Sequence, residues 1–192
     1  MGSRNFLIIG LSGITNSGKT TVASMLCKAL PHLELMCQDS YFWDLDNPSI
    51  ERDADGVINW EKLSALDMER MVRDVRLWSE KHDDKSNSVK KYSVLLIEGF
   101  LIFNDRKLSA LFDHKYFIKI NKEICKERRL TRVYIPPDPS GYFDNVVWPM
   151  SMHNLELIQD QDDIEYIDGM VDLNTLYQKI LAKIQLNIET QH

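Results

Sequence analysis

Apolar and polar positions along the chain fall into two rhythms. Phe6-Leu7-Ile8-Ile9-Gly10-Leu11 is a continuous apolar run bounded by glycines, the pattern of a strand buried on both faces. Val22, Met25, Leu26, Ala29 and Leu30 then recur at three- and four-residue spacing with Pro31 beyond them, which predicts a helix and its exit. Leu33 to Cys37 reads as a second strand, and the Asp, Asn, Pro and Gly content from Trp43 to Asn59 predicts a loop. Leu63, Leu66, Met71, Val75 and Trp78 form the apolar side of a long helix predicted from Glu61 to Trp78, followed by an exposed polar linker from Lys81 to Lys91. Tyr92 to Ile97, closed by Glu98-Gly99, is a third strand, and Tyr116 to Ile120 a fourth. Lys122 to Arg132 predicts a basic helix. Pro136, Pro137 and Pro139 interrupt the pattern before a helix containing Trp148, a last strand near Ile164 to Ile167 and a terminal helix from Leu173 to Ile188. Strands alternating with helices predict an α/β class: a doubly wound parallel sheet of about five strands with helices on both faces.

Composition narrows the function classes. A chain of 192 residues fits one domain spanning 1–192, and 44 % hydrophobic with 27 % charged residues is the balance of a soluble globular protein. No segment approaches the ~18 continuous apolar residues of a spanning helix. Residues Met1 to Phe6 contain no apolar signal region, and Phe6 stands where a myristoylation pattern needs Ser or Thr, so a cytoplasmic location without a membrane partner is expected. Net charge is −6 and no run of Lys or Arg forms a stripe, which argues against nucleic acid and mildly favours cationic ligands. Cys27, Cys37 and Cys125 are an odd set without C-x-x-C spacing, so neither a disulfide framework nor a zinc site is predicted. The five histidines are scattered and give no acyl-transfer triad.

Gly13-Ile14-Thr15-Asn16-Ser17-Gly18-Lys19-Thr20 matches G-x-x-x-x-G-K-[ST] in full, between a predicted strand and a predicted helix. In such a loop, glycines let backbone N–H groups curl around the β- and γ-phosphates at a helix N-terminus; Lys19 adds a point charge and Thr20 a hydroxyl for Mg²⁺. The loop alone does not separate kinases from GTPases or ATPases. Glu98 ends a strand where a carboxylate can hold the metal, although a strand-end acid can also simply face solvent. Asp39 directly follows the second strand, so both acids fall at the carboxyl ends of strands, where a doubly wound sheet has its crevice. Asp39 could take the proton of an acceptor hydroxyl, or it could be a turn aspartate. Lys122, Lys126, Arg128, Arg129 and Arg132 crowd one helix. Arg128 and Arg132 share a face suited to a transferring phosphoryl group; the alternative is a solvated basic face. Trp60 and Tyr134 are single aromatics among polar neighbours, suited to ligand stacking or to packing.

These blocks resemble the nicotinamide riboside kinases, within the wider group of uridine-kinase-like P-loop kinases. The similarity runs from the first strand to about Gly169. Its specific stretches are Gly13 to Thr21, Gln38-Asp39-Ser40-Tyr41-Phe42, Ile97-Glu98-Gly99-Phe100-Leu101, Arg128 to Tyr134, and Pro136-Pro137-Asp138 through Gly141-Tyr142-Phe143-Asp144 to Val147-Trp148-Pro149-Met150. The resemblance implies a P-loop kinase fold with a short arginine-bearing lid over about 122–140. It implies ATP as phosphoryl donor with Mg²⁺, transfer to the 5′-hydroxyl of nicotinamide riboside, and nicotinamide mononucleotide as product, a precursor of NAD. Gly13, Ile14, Thr15, Asn16, Ser17, Gly18, Lys19, Thr20 and Thr21 would surround the phosphates, joined by Arg128 and Arg132, with adenine contacts at Val171, Asp172 and Leu173. Asp39 would be the catalytic base, near a metal held by Thr20 with Glu98 close by. Ser40, Tyr41 and Phe42 would border the acceptor, Trp60 and Glu61 would hold its base and ribose, Tyr134 with Ile135 would close the other face, and Arg129 would reach the ribose. The family has Asp where this chain has Glu61, and an acid and an aromatic where it has Ser40-Tyr41.

The chemistry of the residues agrees with that substrate. Nicotinamide riboside carries a pyridinium cation, and a cation between two aromatic faces gains ~0.5 to 2 kcal/mol. Nicotinic acid riboside is a related acceptor, and a monomer is expected. The alternatives are a kinase for uridine, cytidine or pantothenate, or a P-loop nucleotide-binding regulator without an acceptor. The absence of an N-K-x-D guanine-reading segment favours a kinase over a GTPase.

Overall fold

The apolar runs become five strands: β1 (Phe6–Gly13), β2 (Leu33–Cys37), β3 (Ser93–Glu98), β4 (His114–Lys119) and β5 (Ile164–Asp168). They form one parallel sheet in the order β2-β3-β1-β4-β5. The computed structural model describes residues 5–52, 56, 58–83, 93–134 and 137–190. Tyr92 and residues 84–91 of the predicted linker lie outside them. The helices are α1 (Lys19–Ala29), α2 (Met68–His82), α3 (Arg106–Ser109), α4 (Lys122–Leu130), α5 (Trp148–Glu156) and α6 (Leu173–Thr190).

Alternation along β1 builds two cores. Leu7, Ile9 and Leu11 face Val22 and Leu26 of α1 and Leu176, Ile180 and Ile184 of α6. Phe6 and Ile8 face the opposite layer, with Met71 and Val75 of α2, Leu108 of α3 and Cys125 of α4. Burial on both faces explains why β1 and β3 read as continuous apolar runs rather than alternating ones. No helix among the described residues is long and apolar enough to cross a membrane.

The helix predicted from Glu61 begins instead at Met68. Leu63–Ala65 form a 3₁₀ turn, Leu66 is extended and bridges to Phe42, and the Asp67 carboxylate accepts the Arg70 N–H at 2.9 Å. That cap fixes the helix start, because a side-chain acceptor at the N-cap satisfies a backbone donor that the helix itself cannot. The short α3, four residues long, is too brief to show a helical apolar rhythm in the sequence. Phe143–Val147 form a π-helical turn running into α5. Pro149 has no N–H with which to close an ordinary turn, and the widened turn lies just before it.

Candidate active site

Between β1 and α1 the chain makes a tight phosphate-loop turn. Gly13 lies at φ 153°, and a Cβ there would stand 2.5 Å from the Ile118 carbonyl oxygen of β4, so only glycine fits. The Ile14 N–H donates to that same carbonyl at 3.2 Å, and the Ser17 N–H donates to the Ile14 carbonyl at 3.1 Å. Asn16 adopts φ 60°, and Gly18, at φ 96°, leads into α1. Lys19 is buried, with its ammonium donating to the Ile14 carbonyl at 3.1 Å. Burial lowers the Lys19 pKa, while the nearby carboxylates Glu98 and Asp39 oppose that shift. The lysine head therefore sits inside the loop, where phosphate oxygens would meet it.

The acids come from neighbouring strand ends. Glu98 closes β3, in register with Cys37 at the end of β2 and with Leu11 on β1. Glu98 is 3 % exposed. It accepts from the Thr20 hydroxyl at 3.2 Å on each oxygen and from the Cys37 thiol at 2.8 Å. Burial and the Glu98 charge push the Cys37 thiol up to about 12, so it remains a protonated donor. Asp39 lies in the 3₁₀ turn Gln38–Tyr41 that follows β2. The residue keeps solvent exposure, yet partial desolvation of its carboxyl, then Glu98, raises its pKa, while Lys19 and Arg132 oppose the shift. Among the described residues no group of three or more His, Cys, Asp or Glu side chains forms a metal cage. A hydroxyl beside one or two carboxylates fits Mg²⁺, which keeps waters and takes its remaining ligands from nucleotide phosphates.

Gln38 holds this turn, and sequence reasoning did not single it out as a site residue. It is fully buried, its side-chain Oε1 accepts the Leu101 N–H at 2.9 Å, and its side-chain Nε2 reaches the Met68 sulfur at 3.6 Å. A Cβ at Gly99 would collide with the Gln38 Cβ. The turn bearing Asp39 is thus fixed against the segment that follows Glu98. One buried glutamine after a strand leaves no periodic signal.

The basic helix predicted to Arg132 ends at Leu130, and α4 together with the segment after it leans on the phosphate loop through Asn16. Arg128 donates to the Asn16 carbonyl at 3.3 Å, and Arg132 and the Tyr134 hydroxyl reach its side-chain oxygen at 3.2 and 3.0 Å. Arg129 turns elsewhere. Its Nε and Nη2 fork onto Asp138 at 2.6 and 3.0 Å, and its guanidinium lies 4.2 Å from the Tyr134 ring centre. The Asp138 bond raises the Arg129 pKa although burial, the largest influence on it, acts the other way. Glu61 is buried, and burial pushes its carboxyl up to about 7 against the pull of Arg129 and Lys19. Its backbone is held at both ends: the N–H donates to Asn59 at 3.0 Å and the carbonyl accepts from Asn154 at 2.9 Å.

Several predicted contacts fall in unexpected places. Tyr41 is buried against α2, donating to Asp74 at 3.0 Å with Arg70 over its ring at 4.6 Å. The exposed Ser40 uses its carbonyl to accept from Arg70 at 2.6 Å. Phe42 stacks on Phe100, with ring centres 6.2 Å apart, and meets Trp60 edge-on at 5.6 Å. Trp60 is thus partnered with Phe42, and Tyr134 with Arg129, rather than with each other. Thr15 accepts the Cys125 thiol at its carbonyl at 3.1 Å, and Thr21 is exposed on α1. Leu173 reaches the phosphate loop, 3.8 Å from where a Cβ on Gly18 would stand. Val171 packs with the α1–α6 core, and Asp172 accepts the Thr175 N–H at 3.0 Å at the start of α6. Ile135 lies outside the described residues.

A parallel sheet with this loop, these strand-end acids and this basic helix is a P-loop kinase. The fold matches a putative fructose transport system kinase from Silicibacter sp. TM1040 (TM-score 0.60, 15 % identity, 87 % of this chain and 91 % of that one). It also matches a possible uridine kinase from Bacillus stearothermophilus (TM-score 0.56, 17 % identity, 87 % and 90 %). No protein-family model matches the chain. Its sequence is 38 % identical to nicotinamide riboside kinase 1 of Mus musculus over 191 residues, 96 % of this chain and 97 % of the relative. It is 41 % identical to nicotinamide riboside kinase 1 of Homo sapiens over 179 residues, 90 % and 89 %, and 39 % identical to nicotinamide riboside kinase 2 of Mus musculus over 188 residues, 93 % and 95 %. The chain belongs to the nicotinamide riboside kinase family.

Proposed function

We propose that this protein transfers the γ-phosphoryl group of ATP to the 5′-hydroxyl of nicotinamide riboside, giving ADP and nicotinamide mononucleotide, a precursor of NAD. The observation that carries the reading is the convergence of Lys19, Glu98 and Asp39 at the carboxyl ends of β1, β3 and β2, with Glu61 and Arg129 as their electrostatic neighbours. The phosphate loop from Gly13 to Thr21 cradles the β- and γ-phosphates, and Lys19 places its charge on them. Arg128 and Arg132, already resting on Asn16, stabilise the charge that develops on the moving phosphoryl group. Asp39 orients the 5′-hydroxyl and accepts its proton as the new P–O bond forms and the β–γ bridge bond breaks toward ADP. Thr20, with Glu98 and Asp39, would hold Mg²⁺. A bound Mg²⁺ would neutralise charge on the β- and γ-oxygens.

On the acceptor side, Glu61 accepts ribose hydroxyl donors. Arg129 uses two of its five N–H groups on Asp138 and keeps three for the ribose. Trp60 and Tyr134 supply aromatic surface for the pyridinium, and Leu173, beside Gly18, supports adenine. The reading extends to a short lid over about 122–140 within a single domain, and to nicotinic acid riboside as a second acceptor. It also extends to a cytoplasmic monomer without a nucleic-acid partner, the last supported by the net charge of −6. An ADP-release assay across nicotinamide riboside, nicotinic acid riboside, uridine, cytidine and pantothenate tests it. The highest kcat/KM is expected for nicotinamide riboside, and a preference for uridine or pantothenate would overturn the acceptor assignment.

A further inference from the structure

The ion pair between Arg129 and Asp138 has no assigned part in the reaction, yet it lies against the ring expected to receive the acceptor. Its geometry is that of a fork, with Nε and Nη2 each on one carboxylate oxygen, and the Arg129 side chain is only 9 % exposed. The guanidinium covers one face of Tyr134 at 4.2 Å. The other charged groups about this cluster are Glu61, Asp39, Lys19 and Arg132; Arg132 donates to Asn16 on the phosphate loop, and its guanidinium lies 5.7 Å from the same Tyr134 ring centre. A cation stacked on Tyr134 opposite Arg129 would stand about 8 Å from that guanidinium, where an unneutralised like charge weakens binding on the order of tenfold or more.

We propose that Asp138 is a positioning residue that sets the charge preference of the acceptor site: by neutralising Arg129 it lets the Tyr134 ring receive a cationic acceptor. The proposal rests on the acceptor assignment above. It makes the pair a selectivity device and not merely a lid contact. Without the carboxylate, Arg129 would keep its stacking on Tyr134 and its ribose donors but would present a full positive charge to the pyridinium. Uncharged acceptors would feel little of that change.

The test uses two ligands that differ in ring charge: nicotinamide riboside, and its uncharged 1,4-dihydro form. Their affinities are measured by calorimetry on wild type, Asp138→Asn and Asp138→Glu, with melting temperatures confirming that each variant is folded. Asp138→Asn is expected to weaken the cation about tenfold and the dihydro form less than twofold, and Asp138→Glu to restore most of the preference for the cation. Equal weakening of both ligands, or no change in either, overturns the proposal, because a purely geometric or purely structural role would give one of those results. Wild-type protein that binds neither form overturns the acceptor assignment, and the proposal with it.

Discussion

The Thr20 hydroxyl stands 3.2 Å from each carboxylate oxygen of Glu98, tying the first turn of α1 to the end of β3. This contact joins the one strand-end acid that is almost wholly buried to the residue that follows the phosphate-loop lysine. If the pair prepares a Mg²⁺ site, Glu98→Gln should raise the Mg²⁺ concentration for half-maximal rate about 10- to 100-fold, the usual cost of losing a partner that orients a metal ligand. A Mg²⁺ titration of initial rates checks this. An unchanged Mg²⁺ requirement would leave Glu98 a structural acid that fastens Cys37 and Thr20.

Tyr41 lies in the stretch that the resemblance assigns to the acceptor, whereas the structure packs it on α2 with its hydroxyl on Asp74. Tyr41→Phe should therefore cost about 1 kcal/mol of stability, the net worth of a typical hydrogen bond, and leave the acceptor KM within twofold. Chemical denaturation and acceptor kinetics on the same preparation separate the two roles. A large rise in KM at unchanged stability would return Tyr41 to the acceptor border.

Glu61 should make stability depend on pH in an unusual direction for a carboxylate. Its folded-state pKa is raised from 4.5 to about 7, so between those values the folded protein holds a proton that the unfolded chain has released. Stability from this group is present below about pH 4.5 and is lost as pH rises through 7. Glu61→Gln should accordingly gain stability relative to wild type between pH 4.5 and 8, by at most about 3 kcal/mol. Urea unfolding at the two ends of that range measures it. A difference that is constant with pH would mean that Glu61 is ionised throughout.

Much of this site is legible in the sequence because its chemistry is local. The phosphate loop is a contiguous motif, the apolar pattern predicts β2 with the bounds it has, Leu33–Cys37, and Asp39 follows from where β2 ends. The long-range parts were less legible. The early start predicted for α2 followed Leu63 and Leu66, whose helical spacing is overridden by the bridge from Leu66 to Phe42 and by the Asp67 cap. Gln38 and Asp138 matter through partners 63 and 9 residues away, and neither leaves a periodic mark. The aromatics Trp60 and Tyr134 follow from residue type and from the family resemblance, neither of which says which rings meet.

The proposed reaction depends most directly on Asp39, the group that would turn a nucleotide-binding crevice into a kinase. Asn has nearly the same shape as Asp but cannot accept the proton of the 5′-hydroxyl. Loss of a general base typically costs ~10² to 10⁴ in rate, while ATP affinity, carried by the phosphate loop and the arginines, should change only a few-fold. The measurement pairs calorimetric titration of ATP with single-turnover formation of nicotinamide mononucleotide, on wild type and Asp39→Asn. The account predicts near-normal ATP binding with a rate at least about a hundredfold lower in the variant. Normal ATP binding with turnover within a few-fold of wild type would contradict it.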